Sequence, residues 1–244
     1  MLFSTSVHRW WRELHRTLWD LVLPPHCPGC GAGGHAGLCP GCQGLLRLRQ
    51  APWCVRCGEP RGASEAPCTS DHRSLTGIAW ARAPFAYAGT GGALVRRFKL
   101  DSDFGAGLLL AKAMARLLAA SVSRARWRRA VMVPVPLHRA RRRQRGFDQA
   151  RFLAEQVASR SGLEVEPRAL ERCVPTLPQG DPRVTNRSQN VAGAFALVCG
   201  RGLEGRRVIL VDDVITSGAT ARSCAEILMQ AGAAEVGLLT ACRA

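Results

Sequence analysis

The chain of 244 residues contains no run of 18 apolar residues, and its longest candidate, residues 108–122, is interrupted by Lys112 and Arg116. A membrane-spanning helix needs about 20 apolar residues, so we expect none. The N-terminus also lacks the apolar core of a signal peptide, because charged residues recur between His8 and Asp20. We therefore expect a cytoplasmic protein in a reducing compartment, where the 11 cysteines are metal ligands or buried thiols rather than disulfides.

Acidic residues are few and lysine is almost absent. The chain has 18 Asp and Glu against 34 Lys and Arg, a formal net charge of +16, and only Lys99 and Lys112 are lysines. Biased codon usage would explain the preference for arginine but not the excess of positive charge. Charge of this size favours a polyanionic partner such as nucleic acid, or an anionic small substrate. The hydrophobic content of 47% excludes wholesale disorder.

Residues 1–25 are predicted to be an amphipathic helix that ends at Pro24 and Pro25. Apolar residues recur with the period of one helical face between residues 5 and 22. The opposite face carries Arg9, Arg12 and Arg16. We expect this helix to pack on the rest of the protein. Contact with a membrane surface, which would place the protein peripherally at the inner membrane, is the alternative.

Residues 26–75 hold seven of the eleven cysteines. The segment has too few large apolar residues to fold on a hydrophobic core. Two Cys-x2-Cys pairs, formed by Cys27 with Cys30 and by Cys39 with Cys42, have the spacing of a tetrahedral Zn²⁺ site. We predict a structural zinc ion that is held by these four thiolates and contributes folding energy rather than chemistry.

A second, less regular set follows in the same segment. Cys54, Cys57 and Cys68 supply three thiolates, and the fourth ligand is His72 or Asp71, of which the carboxylate is the poorer and harder ligand. Residues 26–75 are therefore predicted to be a double zinc ribbon. Whether its second site is complete stays open at this stage.

From residue 76 to 244, strand-like and helix-like stretches alternate, which predicts an α/β domain with a parallel sheet flanked by helices. The uncharged β-branched run at residues 208–211 is typical of a central parallel strand. The remaining cysteines, at 173, 199, 224 and 242, have apolar surroundings and are expected to be buried thiols. We predict the following elements: a strand or hairpin at 78–87, a helix at 110–117, a strand at 130–136, a helix at 150–157, a long loop at 172–189, a helix at 224–231 and a strand at 235–242.

The most specific motif follows the strand at 208–211. Asp212 and Asp213 stand at its carboxyl end, and a loop then opens a helix; that loop consists of Thr216, Ser217, Gly218, Ala219 and Thr220. Its backbone N–H groups and hydroxyls are suited to a phosphate. The two carboxylates are placed to accept hydrogen bonds from the vicinal hydroxyls of a ribose. A solvated acidic turn is the alternative, and the absence of G-x-x-x-x-G-K-[ST] excludes an ATPase loop.

This motif resembles the phosphoribosyl diphosphate (PRPP) binding motif of type I phosphoribosyltransferases, and nearly the whole chain resembles the ComF family, in which that fold follows a zinc module. The resemblance also covers Pro-Pro-x-Cys at 24–27, Phe98-Lys99, and the segments 133–137, 145–150 and 187–195. The chain departs from the family at three places: Asp148 replaces a usual Asn, Asp71 or His72 replaces a final cysteine, and Ser217 replaces a frequent Thr.

The resemblance implies a phosphoribosyl ligand in this site. Asp212 and Asp213 would hold the ribose and residues 216–220 the 5′-phosphate. Val135, Pro136 and Leu137 would form the diphosphate loop, with Mg²⁺ bridging the diphosphate to the hydroxyls. The parent superfamily displaces diphosphate from the anomeric carbon, but no base pocket is recognisable here, so the acceptor and the catalytic residues stay unknown.

By the same resemblance the protein acts in DNA uptake during natural transformation, with single-stranded DNA and a competence helicase as partners. An active phosphoribosyltransferase in nucleotide salvage or base modification is the alternative. Nothing in the sequence indicates the oligomeric state.

Nine arginines and no acidic residue lie between residues 124 and 145. The second half of this band follows the predicted diphosphate loop and contains Arg139, Arg141, Arg142, Arg143 and Arg145. These guanidinium groups suit PRPP or a nucleic-acid backbone, and Phe147 adds a ring for base stacking. We predict that they bind single-stranded DNA; a solvated basic face is the alternative.

Overall fold

A computed structural model describes residues 25–61, 68, 72–174, 193–198 and 202–244. The predicted N-terminal helix, apart from Pro25, lies outside the described residues, as do Asp71, Cys199 and residues 175–189 of the predicted long loop.

A seven-stranded sheet organises the chain. Its strands are β1 (Leu46–Leu48), β2 (Trp80–Arg82), β3 (Phe85–Ala88), β4 (Val131–Pro134), β5 (Glu164–Val165), β8 (Arg207–Ile215) and β9 (Glu235–Arg243). They follow the order β1-β3-β9-β8-β4-β5, with β2 also paired to β9, and only the β1–β3 pair is antiparallel. The predicted α/β fold is confirmed. A separate pair of antiparallel strands consists of β6 (Leu170–Arg172) and β7 (Phe195–Leu197).

The helices flank this sheet. They are α1 (Pro40–Gly44), α2 (Gly89–Leu100), α3 (Phe104–Ser121), α4 (Arg124–Trp127), α5 (Arg139–Arg145), α6 (Gln149–Ser161) and α7 (Ala219–Gln230), with a short 3₁₀ helix at His72–Leu75. The predicted helices at 110–117 and 150–157 lie within α3 and α6, and the one at 224–231 covers the C-terminal part of α7 and extends one residue beyond it. We did not predict α1, α2, α4 or α5.

Strand β8 is the central strand that its β-branched run indicates. Its residues from Val208 to Val211 are fully buried, and β4 and β9 pair with it in parallel on its two edges. Val211 is in register with Pro134 of β4 and Leu239 of β9. The carboxyl ends of the three strands therefore meet at one edge, and the ligands of open α/β sheets bind there.

The predicted strand or hairpin at 78–87 is two short strands that run in the same direction. Trp80 is in register with Gly237 and Phe85 with Cys242, so β2 and β3 pair in parallel with successive parts of β9. The hairpin alternative is wrong. Pro84 lies between the strands and has no N–H to donate to a ladder, which accounts for the interruption.

Helix α3 has the length and the apolar character that would suffice to cross a membrane. Its Leu110, Ala111 and Met114 are fully buried in one apolar cluster with Leu153 of α6 and Leu239 of β9. These residues form the buried face of α3, which packs on the sheet.

The cysteine-rich segment packs directly on the sheet. Strand β1 pairs with β3, and the hydroxyl of Thr90 donates to the Cys42 carbonyl at 2.8 Å. Arg82 donates to the carbonyl of Val55 at 3.1 Å, and Arg243 donates to that of Cys57 at 3.1 Å. Side chains of the α/β domain thus fix the backbone around both cysteine clusters.

Candidate nucleotide site and metal centres

A cavity of about 370 Å³ lies at the carboxyl ends of β4 and β8. The residues after these strands, α5, the start of α6 and strand β6 surround it. Eight of the ten residues that the sequence assigns to a phosphoribosyl ligand line it: Val135, Pro136, Leu137, Asp212, Asp213, Thr216, Gly218 and Thr220. Ser217 and Ala219 belong to the same loop but are not among the lining residues. Gly218, with a φ of +73°, turns the chain into α7.

Two adjacent carboxylates, those of Asp212 and Asp213, line the cavity. Asp213 forms a salt bridge with Lys99, whose Nζ lies 2.8 Å from Asp213 Oδ1. Burial and the neighbouring charge of Asp213 raise the pKa of Asp212 to about 8. Burial opposes the protonation of Lys99, but the carboxylates of Asp213 and Asp212 outweigh it and raise the pKa of Lys99. A single lysine therefore offsets two adjacent acids.

Guanidinium groups line the same cavity. Arg141 and Arg145, one helical turn apart on α5, both line the cavity, as does Arg172 of β6, which lies 5.3 Å from the ring centre of Phe195. Burial and the charge of Arg145 lower the pKa of Arg141, and burial and the charge of Arg141 lower that of Arg172. The fold thus holds like charges close together, and an anionic ligand would reduce the repulsion between these guanidinium groups.

Gln149 and Asp148 begin helix α6 beside these arginines. Gln149 is 3% exposed, and its Oε1 accepts a hydrogen bond from Arg145 at 3.0 Å. Its Nε2 has no hydrogen-bond partner among the described residues, so the amide is available to donate to a ligand. Asp148 accepts from the N–H of Arg151 at 3.1 Å, and burial raises its pKa. The Asp that replaces a usual Asn thus caps α6 and lines the cavity.

The arginine band is divided between different places. Arg142 and Arg143 do not line the cavity but lie in a neighbouring cleft, and Arg139 forms a salt bridge with Glu171 at 3.3 Å. In the first half of the band, Arg126 forms a salt bridge of 2.9 Å with Glu235, the first residue of β9. The first half of the band therefore lies at the amino ends of the strands, away from the cavity.

The first metal centre matches its prediction. The Sγ atoms of Cys27, Cys30, Cys39 and Cys42 all lie within 4.8 Å of one another. Burial disfavours ionisation of Cys27, but hydrogen bonds from the backbone around Cys39, Cys30 and Gly29 lower its pKa to about 6. Four convergent sulfur atoms suit tetrahedral Zn²⁺.

The second centre includes His72. Its Nε2 lies 3.5 Å from Cys54 Sγ, and Cys57 Sγ lies 3.6 Å from Cys68 Sγ. The four ligand atoms lie within 4.8 Å of one another and form a Cys₃His set, which also suits Zn²⁺.

The remaining cysteines divide into two groups. Cys224 and Cys242 are fully buried, as predicted, and burial raises the pKa of Cys242 to about 12. The prediction for Cys173 is wrong, because this thiol is exposed and donates to Glu171 Oε1 at 3.6 Å. It follows the end of the short strand β6, and the described part of the chain leaves it exposed.

Comparisons with known proteins agree with this architecture. The model of the double zinc ribbon domain family matches residues 18–70, and that of the phosphoribosyl transferase domain family matches residues 105–244. DNA utilization protein YhgH of Escherichia coli strain K12 is 30% identical over 91% of this chain and 99% of its own length. Competence protein F of Haemophilus influenzae is 28% identical over 86% of this chain and 92% of its own. This chain belongs to the ComF family.

Two solved structures share less with this ComF protein. A hypoxanthine phosphoribosyltransferase from Staphylococcus aureus is 14% identical, with a TM-score of 0.35, over 55% of this chain and 62% of its own. TT1426 from Thermus thermophilus is 19% identical, with a TM-score of 0.33, over 54% of this chain and 71% of its own.

Sequence reasoning missed six polar residues of the cavity: Tyr87, Lys99, Asp148, Gln149, Arg172 and Thr240. The resemblance to the ComF family flagged the Phe98-Lys99 pair and the segment 145–150 without giving them a role. Gly107 shows how Lys99 is positioned. A Cβ on Gly107 would lie 2.6 Å from the ring of Phe98 and 2.9 Å from that of Phe152, so glycine lets α2 and α6 pack closely on α3. Lys99 follows directly after Phe98.

Proposed function

We propose that this ComF protein binds PRPP, or a related phosphoribosyl ligand, together with Mg²⁺ in the cavity. The observation that carries the proposal is that two adjacent carboxylates and three guanidinium groups line the same cavity. The carboxylates are those of Asp212 and Asp213, and the guanidinium groups are those of Arg141, Arg145 and Arg172. Groups of like charge that the fold holds close together are characteristic of binding sites. A sugar diphosphate offers hydroxyls to the acids and phosphates to the arginines.

Each part of the ligand has a matching part of the site. Asp212 and Asp213 accept hydrogen bonds from the ribose hydroxyls, and the loop 216–220 holds the 5′-phosphate at the start of α7, where backbone N–H groups and the helix dipole favour an anion. Residues 135–137, with Arg141 and Arg145 of α5, hold the diphosphate. The carboxylates and the ligand's own oxygens are the donors that Mg²⁺ prefers, and when bound the ion neutralises diphosphate charge.

Phosphoribosyl transfer is the second candidate function. Arg141 and Arg145 are placed to stabilise the charge of departing diphosphate, which is how preorganised cations accelerate such a displacement. Incubation with PRPP, Mg²⁺ and each nucleobase, followed by an assay for diphosphate, tests this candidate. Release that depends on one nucleobase would establish the activity, and no release above the rate without protein would leave a binding protein.

We further propose a cytoplasmic role in DNA uptake during natural transformation, with single-stranded DNA and a competence helicase as partners. The printed names of the relatives, Competence protein F and DNA utilization protein YhgH, support it, and so does the net charge of +16. If the chain neutralises about five phosphates, the logarithm of affinity should fall with the logarithm of salt concentration at a slope near −3.5. A slope near zero would contradict DNA binding through this charge.

Calorimetry with PRPP and Mg²⁺ tests the nucleotide site. The variant Asp212→Asn/Asp213→Asn should bind more weakly by about 2 to 4 kcal/mol, because two hydrogen-bonding carboxylates are lost. Glu164→Gln/Glu226→Gln is a matched control that removes two acids with exposed side chains, at 71% and 56%, outside the cavity. Equal affinity in both variants would reject the assignment.

A further inference from the structure

Helix α5 has a second cleft on its outer side. This cleft has a volume of about 440 Å³ and is separate from the cavity at the carboxyl ends of β4 and β8, which we call the nucleotide cavity. It is lined by Arg142, Arg143, Gly146, Phe147, Asp148 and Arg151. We call it the outer cleft. Asp148 also lines the nucleotide cavity, so this side chain stands between the two.

The period of α5 divides its arginines between the two cavities. Arg141 and Arg145 are four residues apart, share one face, and are half-buried toward the nucleotide cavity. Arg142 and Arg143 lie on another part of the helix surface and are exposed. Gly146 ends the helix in the left-handed conformation, with a φ of +77°. One short helix therefore presents two pairs of cations to two different places.

The described residues balance the cations of the outer cleft only in part, through the charge of Arg142 on the carboxylate of Asp148. Neither Arg142 nor Arg143 forms a salt bridge with any residue in the part of the chain that the structure describes. Arg151, by contrast, forms a salt bridge of 2.7 Å with Glu155. Because Arg142 and Arg143 are both exposed in the cleft, their guanidinium groups are accessible to an anionic partner.

An aromatic ring stands beside these cations. Phe147 is half-buried, and its ring centre lies 5.2 Å from that of Phe98 and 5.2 Å from that of Phe104, so the core holds it in place. A positively charged groove next to an aromatic ring is the arrangement with which proteins bind single strands, since cations contact the backbone and bases stack on rings.

We propose that the outer cleft binds single-stranded nucleic acid, with Arg142 and Arg143 on its phosphates and Phe147 against a base, whereas Arg141 and Arg145 serve the nucleotide cavity. This inference rests on the proposed binding of single-stranded DNA and names its site. It also places the strand next to the phosphoribosyl ligand, with Asp148 between them. An anionic membrane surface fits this concave cleft and its fixed ring less well.

Three double variants with the same change of charge test the inference: Arg142→Gln/Arg143→Gln, Arg141→Gln/Arg145→Gln, and Arg128→Gln/Arg129→Gln. The last removes two exposed arginines near the amino ends of the strands and serves as the matched control. Binding of a fluorescent oligothymidylate is measured against salt concentration, and PRPP binding is measured by calorimetry. Thermal melting verifies that each variant is folded.

In Arg142→Gln/Arg143→Gln, the slope of the logarithm of oligonucleotide affinity against the logarithm of salt concentration should become less steep by about 1.4, at about 0.7 for each lost phosphate contact. The affinity of this variant for PRPP should stay unchanged. The control variant should keep the wild-type slope. Arg141→Gln/Arg145→Gln should lose at least tenfold in PRPP affinity. Phe147→Leu should weaken binding of the oligonucleotide about tenfold without changing the slope, because stacking is not ionic.

A wild-type slope in Arg142→Gln/Arg143→Gln would overturn the inference while leaving DNA binding by the protein intact. An equal loss in the control variant would overturn it too, since the charge would then act without a defined site. Failure of the wild-type protein to bind the oligonucleotide would instead reject the proposed DNA partner. If the outer-cleft variant loses binding to vesicles of anionic phospholipid but not to DNA, the cleft is a membrane contact and the inference is wrong.

Discussion

Lys99 Nζ lies 2.8 Å from Asp213 Oδ1, and this salt bridge joins the last turn of α2 to the end of the central strand β8. The carboxylate side chain is 10% exposed and the lysine side chain 25% exposed, so water screens the pair only partly. The bridge brings a lysine to the acids that the sequence marks as a ribose site. It also makes the electrostatic balance of the site depend on a residue far away in the chain.

Lys99→Met should destabilise the ligand-free protein by about 2 kcal/mol at neutral pH. The variant leaves two adjacent acids in a partly buried place without their cation, and an unpaired buried charge is costly. Urea unfolding measures the effect. Lys99→Met/Asp213→Asn should recover most of the loss, since the unpaired charge is gone. A single variant as stable as the wild type would show that solvent screens the acids.

Asp212→Asn should stabilise the ligand-free protein increasingly as pH rises. The pKa of Asp212 is raised from its ordinary value to about 8, so the folded state favours the protonated acid. The protonated side chain therefore contributes to the free energy of unfolding below about pH 4, and this contribution is lost as pH rises toward 8. The variant has no such proton, so its advantage in the free energy of unfolding should be near zero at low pH and should grow by about 1.4 kcal/mol per pH unit between the two pKa values.

Thermal melting between pH 5 and pH 8 measures the difference in stability between Asp212→Asn and the wild type. Each kcal/mol shifts the melting temperature by roughly 4 to 8 °C for a small domain and by about half that for a larger one. Glu164→Gln, an exposed acid, is the control and should follow the wild-type curve. A constant difference between Asp212→Asn and the wild type across this range would contradict the raised pKa.

The sequence revealed the parts of the site that are contiguous with one strand. Asp212, Asp213 and the loop 216–220 follow β8 directly, so the hydrophobic run indicates both the strand and where it ends. Lys99 and Arg172 reach the cavity from elements far away in the chain, and only tertiary packing brings them there. The sequence did not show which arginines of α5 line the nucleotide cavity and which line the outer cleft. That assignment follows from the helical period of α5, and we predicted no helix in this segment.

His72→Ala should lower the zinc content of the purified protein from about two ions per chain to about one. The imidazole completes the second set of ligands, with Cys54, Cys57 and Cys68, whereas the first set has four thiolates of its own. Elemental analysis of protein purified without chelator measures it. His72→Cys keeps a ligand at the position and should retain both ions. Two ions in His72→Ala would assign the fourth ligand elsewhere, for instance to Asp71.

Loss of the second zinc ion should also lower the melting temperature of the whole chain. Arg82 and Arg243 donate to the carbonyls of Val55 and Cys57, so the backbone that the metal organises is bonded to β2 and β9. Metal binding contributes folding free energy to such modules. A melting temperature in His72→Ala equal to that of the wild type would show that the α/β domain does not depend on this ribbon.

Gln149→Met should separate binding from stability. The side chain is 3% exposed, and its Nε2 has no hydrogen-bond partner among the described residues. A buried donor without a partner costs about 1 to 3 kcal/mol, so its removal should offset the lost hydrogen bond from Arg145 and leave the free energy of unfolding within about 1 kcal/mol of the wild type. Affinity for PRPP with Mg²⁺ should fall about tenfold or more, because the amide is the buried donor that faces the cavity.

Calorimetry and urea unfolding give these two quantities for Gln149→Met. Gln156→Met, on the same helix but outside the cavity, is the control and should bind PRPP like the wild type. Unchanged PRPP affinity in Gln149→Met would mean that the amide does not touch the ligand. A loss of stability as large as the loss of binding would instead make Gln149 a structural residue that holds Arg145. If Gln149→Met keeps its stability but loses PRPP affinity, the hydrogen-bond partner of the Gln149 Nε2 amide is the ligand and not another group of the protein.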